Sequence, residues 1–234
     1  MLRIDKVLSQ ILGISRTDAK KLLKKQSLKV NGTRVTDADF KVDTDKDEIV
    51  LNGEKLNFKR FIYIMMNKPK GVISASNDPK VKTVVDLVPE ALSRPGLFPA
   101  GRLDSDTTGF VLITDDGNFA HKILSPKNHV EKTYTAELER NITEDDIDRF
   151  LSGIELKDGT LCLEAKLRKI GEREAEIIIH EGKYHQVKRM FATVGNRVLE
   201  LKRVKIGNLE LDKTLKSGEC REITDEELRL ISKC

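Results

Sequence analysis

Pro99-Ala-Gly-Arg-Leu-Asp-Ser-Asp-Thr-Thr-Gly109 sets one arginine, two carboxylates and two threonines among glycines, and it leads directly into the apolar run Phe110-Val-Leu-Ile-Thr114. A polar loop fastened to a buried strand is a common mounting for catalytic groups. Gly101 and Gly109 allow backbone conformations that a Cβ resists, so Asp104 can approach a ligand closely with Arg102 beside it. Alone, the run is equally compatible with a solvated turn whose Asp and Thr side chains bond their own backbone. Phe98-Pro-Ala-Gly-Arg-Leu103, just upstream, does not have the makings of a buried parallel strand, which argues against a doubly wound α/β domain.

At 234 residues, 38% hydrophobic and 34% charged, the chain has the composition of a soluble protein long enough for more than one domain. Its longest strongly apolar run, Phe61-Ile-Tyr-Ile-Met-Met66, is far shorter than the ~20 residues of a membrane-spanning helix. Met1-Leu-Arg-Ile-Asp5 has no signal-peptide character, so a cytoplasmic protein without membrane association is expected. Cys162, Cys220 and Cys234 lack CxxC spacing, and His121, His129, His180 and His185 form no HExxH, so plain thiols and no metal are expected.

Charge is unevenly placed. Residues 1–34 hold nine Lys or Arg against two acids, residues 35–59 four against seven, and the remaining 175 residues are balanced at 29 each. A basic block on a neutral body is the footprint of a nucleic-acid-binding appendage. Within it, Ile4, Val7, Leu8, Ile11 and Leu12 mark one helical face ended by Gly13, and Ser15 is placed to cap a second helix. That helix turns Ala19, Leu22 and Leu23 inward and crowds Lys20, Lys21, Lys24 and Lys25 on its other sides. Leu28-Lys-Val30, Asn31-Gly32 and Thr33-Arg-Val35 predict a hairpin, followed by a strand at Ile49-Val-Leu51 and a linker near 52–60.

Beyond it, β-rich runs at 61–66, 111–114, 132–138, 161–170, 174–180 and 198–206 outnumber the helices. Strands adjoin without crossover helices, which predicts an α+β domain with a mixed, largely antiparallel sheet. Thr143 starts one helix, Thr224 and Glu227 make a capping box for the last, and a third is expected from about Tyr184 to Val194. In that third helix Val187, Met190, Phe191 and Val194 form the inward stripe, leaving Gln186, Lys188 and Arg189 free to meet a ligand or carboxylate. Residues 181–205 form a second basic region of net +5. Tyrosine occurs only three times, so Tyr134 and Tyr184 stand out as rings that pack or stack on a nucleobase.

The N-terminal helices, strands and Asn-Gly turn resemble the S4-type RNA-binding domain, which implies RNA as a partner. Asn67-Lys-Pro-Lys-Gly71, Gly101-Arg-Leu-Asp-Ser-Asp-Thr-Thr-Gly109, Glu131-Lys-Thr-Tyr134 and Glu181-Gly-Lys-Tyr-His-Gln-Val-Lys-Arg-Met-Phe191 resemble, in identity, order and spacing, the pseudouridine synthases of the small-subunit (16S) ribosomal RNA type. The resemblance covers nearly the whole chain and implies an S4-like domain at 1–59 and a catalytic domain at 60–234. It further implies Asp104 as the catalytic carboxylate, Tyr134 as the ring on the target uracil, Lys188 as the basic partner of Asp104, and Arg102 as the group that occupies the space of the extruded base. Arg3, Lys6, Arg16, Lys20, Lys21, Lys24, Lys25 and Arg189 become the candidate RNA contacts. The expected partner is ribosomal RNA, free or in a partly assembled small subunit, bound by a monomer. Isomerising uridine exchanges a C1′–N1 for a C1′–C5 bond with no net redox change, so no cofactor is expected. Asp106 reads as a loop-holding acceptor.

Three other readings compete. A large-subunit synthase would share the chemistry; that branch tends to have Asn-Arg-Gln-Val-Arg where this chain has Tyr184-His-Gln-Val-Lys188. Asp104-Ser-Asp-Thr-Thr108 could be the DxDxT of a haloacid-dehalogenase-type phosphatase with bound magnesium, but the flanking strand pattern is wrong. A non-catalytic RNA-binding or assembly factor would use both basic regions and have no need of Asp104, Tyr134 and Lys188.

Overall fold

Leu2–Arg3 (β1) runs straight into a helix, Ile4–Leu12 (α1), whose Ile4, Val7 and Leu8 are buried and which stops at Gly13 in the left-handed conformation (φ 64°). A second helix, Arg16–Lys25 (α2), is capped by Ser15, whose hydroxyl accepts the Asp18 amide at 3.1 Å. The computed structural model describes residues 1–44, 46–56, 58–125 and 128–232. Cys234, one of the expected thiols, and Asn57, within the expected linker, lie outside them.

The chain forms two compact units, one made of 1–62 with 93–96, the other of 63–92 with the residues from 97 on. In the first, strands Leu28–Val30 (β2), Thr33–Arg34 (β3), Lys41–Val42 (β4), Ile49–Leu51 (β5) and Glu54–Lys55 (β6) join the two helices. Four strands pair in the order β3-β2-β5-β6, and β1 pairs with β4. Asn31 (φ 50°) and Gly32 (φ 78°) form the expected hairpin turn. Asn52 (φ 51°) and Gly53 (φ 91°) form another, so part of the expected linker is a hairpin, β5–β6.

Asp5, fully buried in the first turn of α1, accepts from Arg3 (3.2 and 2.9 Å) and from Arg16 (3.0 and 2.9 Å). Burial pushes its carboxyl up, but hydrogen bonds from the two guanidiniums outweigh this and hold it below the usual range. Arg3 also pairs with Asp39, and Lys21 with Asp18 at 3.2 Å. Two of the eight candidate RNA contacts, Arg3 and Arg16, thus brace the unit's own core. Lys6, Lys20, Lys24 and Lys25 are exposed and meet no carboxylate among the described residues.

The second unit is α+β, as its strand-rich sequence predicts. It runs Tyr63–Lys68 (β7), Phe98–Pro99 (β8), Thr108–Thr114 (β9), Gly117–Leu124 (α3), Lys132–Leu138 (β10), Glu144–Leu151 (α4), Lys166–Lys169 (β11), Glu174–Ile179 (β12), Gln186–Thr193 (α5), Val198–Ile206 (β13), Leu209–Glu210 (β14), Cys220–Glu222 (β15) and Asp225–Ser232 (α6). The strands form one sheet in the order β11-β12-β10-β13-β9-β7-β15, with β8 on β9 and β14 on β13. Among the described strands every named pairing is antiparallel except β9 with β13. Phe110 and Leu112 of β9, Met65 of β7, Ala120 and Ile123 of α3 and Ile231 of α6 share one buried cluster. Helix α3 has no counterpart in the sequence reading. Asp115-Asp-Gly117 has turn composition, yet Asp116 caps a helix by accepting the Phe119 amide at 3.0 Å. Of the expected strand 161–170 only β11 forms, and Leu161 makes a single bridge to Glu155.

The parallel seam is close because Gly109 has no side chain. A Cβ there would lie 2.2 Å from the Arg203 carbonyl oxygen, and φ is +98°. Gly109→Ala must therefore push β9 off β13 or twist it; a loss of more than about 3 kcal/mol of unfolding free energy is expected in urea titration. An unchanged midpoint would show that the seam tolerates the methyl group.

Candidate active site

Lys68, at the end of β7, has no solvent exposure, yet its ammonium is fully used: Nζ donates to the carbonyls of Pro69 (3.0 Å), Ser105 (3.2 Å) and Thr107 (2.9 Å). Two of those carbonyls belong to the loop entering β9. The same loop is fixed at Leu103, whose amide donates to Ser74 Oγ while that hydroxyl donates to the Leu103 carbonyl, both at 3.0 Å. The Gly71 amide adds a bond to Ser105 O (2.8 Å), and the Thr107 amide closes a turn onto Asp104 O (3.1 Å). Asp104 therefore sits on a short turn held from three sides.

Helix α5 supplies the countercharge. Lys188 Nζ donates to Asp104 Oδ2 at 3.2 Å and to Asp106 Oδ1 at 2.5 Å. Burial works against the Lys188 charge, but the bonds to Asp106 and Asp104 outweigh it and hold the ammonium above the ordinary lysine value. The bond from Lys188 likewise lowers the Asp106 carboxyl against partial burial. Asp106 is 68% exposed and acts as an ion-pair partner, so the loop-holding role expected of it belongs to Lys68 and Ser74.

The start of α5 departs from expectation. His185 adopts the left-handed conformation (φ 49°), which for a residue with a side chain costs on the order of 1–3 kcal/mol and delays the helix to Gln186. This turn brings His185 Nε2 to 3.5 Å from Asp104 Oδ1. Gln186, expected to be free for a ligand, is buried; it donates to Glu181 Oε1 (2.8 Å) and accepts the Lys183 amide (2.9 Å). Glu181 also receives the Leu163 amide (2.9 Å) and the Lys183 ammonium (2.5 Å), clamping the approach to α5. Arg189 pairs with Asp158 at 2.5 Å and bonds the Tyr184 carbonyl, so this candidate RNA contact is engaged within the protein.

Arg102, Asp104, Tyr134 and Lys188 line one open cleft. Tyr134, on β10 opposite Arg203 of β13, is 7% exposed and forms part of the wall. Arg102 is exposed and has no bonding partner among the described residues. The cleft thus joins a carboxylate paired with a lysine, an aromatic wall and a free arginine. The loop precedes β9 instead of ending a buried parallel strand, so the phosphatase arrangement is absent. The sequence reading assigns no role to His185, Lys68, Glu181 or Ser74; Lys68 lies in the Asn67-Lys-Pro-Lys-Gly71 run and Glu181 and His185 in the Glu181-Gly-Lys-Tyr-His-Gln186 run, whereas Ser74 lies in neither.

Residues 62–193 match the RNA pseudouridylate synthase family, and residues 2–49 match the S4 domain. The chain belongs to the RNA pseudouridylate synthase family. It is an enzyme of the isomerase class. It is 43% identical to an uncharacterized RNA pseudouridine synthase of Bacillus subtilis, over 99% of this chain and 98% of that one. It is 41% identical to ribosomal small subunit pseudouridine synthase A of Escherichia coli, over 97% and 98% of the two chains. A crystal structure of a pseudouridylate synthase superposes with a TM-score of 0.70 at 38% identity, covering 99% of this chain and all of the other.

Burial pushes the Lys68 ammonium down to about 8, opposed by the nearby carboxylates of Asp106 and Asp104 and reinforced by Lys188. Below that pH three hydrogens meet three carbonyls; as pH rises through it one donor is lost. Turnover is expected to fall above about pH 8, and Lys68→Met should lower kcat about tenfold or more by leaving carbonyls unpaired while abolishing that alkaline limb. A limb that persists in Lys68→Met would belong to another group.

Proposed function

We propose that this synthase converts one uridine of 16S ribosomal RNA to pseudouridine, acting as a cytoplasmic monomer on free RNA or on a partly assembled small subunit. The observation that carries the reading is the Lys188–Asp104 contact in a cleft walled by Tyr134. Full-length similarity to small-subunit synthases supports the choice of RNA.

The chemistry follows from the residue types. The target base leaves its stack to enter the cleft, Arg102 fills the gap, and the Tyr134 ring holds the uracil. A carboxylate pressed against a nucleobase loses water, which favours its neutral form; Lys188 opposes this by stabilising the anion. Asp104 then attacks C1′ or takes the C2′ proton, and both routes need the ionised carboxylate at the sugar. Once the C1′–N1 bond is broken, the cleft must keep the uracil within reach while C5 replaces N1, an effect of positioning. No cofactor enters this balance.

Pseudouridine mapping of ribosomal RNA by carbodiimide, in cells lacking the protein and complemented with wild type or Asp104→Asn, tests the reading. One 16S site restored only by wild type is expected. An unchanged 16S map, or restoration by Asp104→Asn, contradicts it. The S4 unit is proposed to engage phosphates through Lys6, Lys20, Lys24 and Lys25. The logarithm of RNA affinity should then fall linearly with the logarithm of salt concentration, and each Lys→Ala should reduce the slope by about 1. A slope unaltered in the quadruple variant would remove these lysines from the interface.

A further inference from the structure

Tyr184 has no part in the reaction described above, yet it stands beside it. The residue is 75% exposed and is not among the walls of the cleft. Its ring lies flat on the imidazole of His185, with ring centroids 3.8 Å apart and planes 20° from parallel. His185 does line the cleft, with Nε2 3.5 Å from Asp104. The pair is fixed from below by the left-handed turn at His185 and by the Arg189 bond to the Tyr184 carbonyl at 3.3 Å. One face of the tyrosine is thus covered and the other open, and its hydroxyl has no partner among the described residues.

We propose that the Tyr184–His185 pair is a stacking platform for the nucleobase adjacent to the extruded uridine. The proposal rests on the assignment of the cleft to that uridine. Tyr134 lines the cleft assigned to the extruded uridine and Tyr184 stands outside its lining, so the Tyr184 ring meets a neighbouring base. Extruding one base deprives its neighbour of a stacking partner, and an open aromatic face held at the rim replaces it. Because every base has a π-face, the platform adds affinity with little sequence demand beyond a preference for the larger purines.

The test uses the full chain and a nine-nucleotide single-stranded RNA whose central uridine is flanked on both sides by 2-aminopurine, a base whose fluorescence drops when it stacks. Wild type and Tyr184→Phe should quench it. Tyr184→Ala should lose the quenching and bind about 5- to 100-fold more weakly, the equivalent of about 1–3 kcal/mol for one stacked base. The exposed position predicts no change in melting temperature for that variant. Equal quenching by wild type and Tyr184→Ala, or none by either, overturns the proposal. Binding needs no turnover, so failure here is separate from failure of the pseudouridine mapping.

Discussion

A lysine ammonium with no access to water is tolerated only if every one of its hydrogens is used, and Lys68 uses all three on main-chain carbonyls. That requirement ties the end of β7 to the turn carrying Asp104. The buried charge is costly alone, and Asp104 and Asp106 offset part of the cost. Two lysines and two carboxylates thereby form one small charge cluster in which Lys68 fixes the backbone and Lys188 fixes the side chain. A carboxylate placed this way is held in position before any ligand arrives, which is the economy of a preorganised site.

The sheet explains why these groups meet at all. Motifs far apart in sequence converge because β9 and β13 run parallel at its centre, with Gly109 against the backbone of Arg203. The loop before β9 is brought beside Tyr134 of β10, and α5, packed before β13, brings Lys188 across. A methyl group at Gly109 would press on the Arg203 carbonyl and force this seam to shift or twist.

Much of this was legible in the chain. The periodic apolar residues of α1, the Ser15 cap and the Asn31-Gly32 turn each have one local cause, and each formed where expected. Arg102, Asp104, Tyr134 and Lys188 came from motif resemblance, and they share one cleft. What escaped reading depends on distant partners. Nothing near Lys68 in sequence announces that two of its three acceptors lie 37 and 39 residues away. The surface roles given to Arg3 and Arg16 missed Asp5, a buried carboxylate inside an otherwise apolar helical face. Gln186 looked free because helical periodicity was extended through His185, whose left-handed backbone shifts the helix start by two residues.

The central claim is that Asp104 performs the isomerisation from its place against Lys188. Its most direct test is release of tritium from 16S RNA labelled at uridine C5, offered free and assembled with small-subunit proteins, since forming the C1′–C5 bond expels that hydrogen. Purified wild type should release it in single-turnover reactions, while Asp104→Asn, with an unchanged melting temperature, should be slower by more than about 10²-fold. Release by Asp104→Asn at a rate close to wild type would contradict the account.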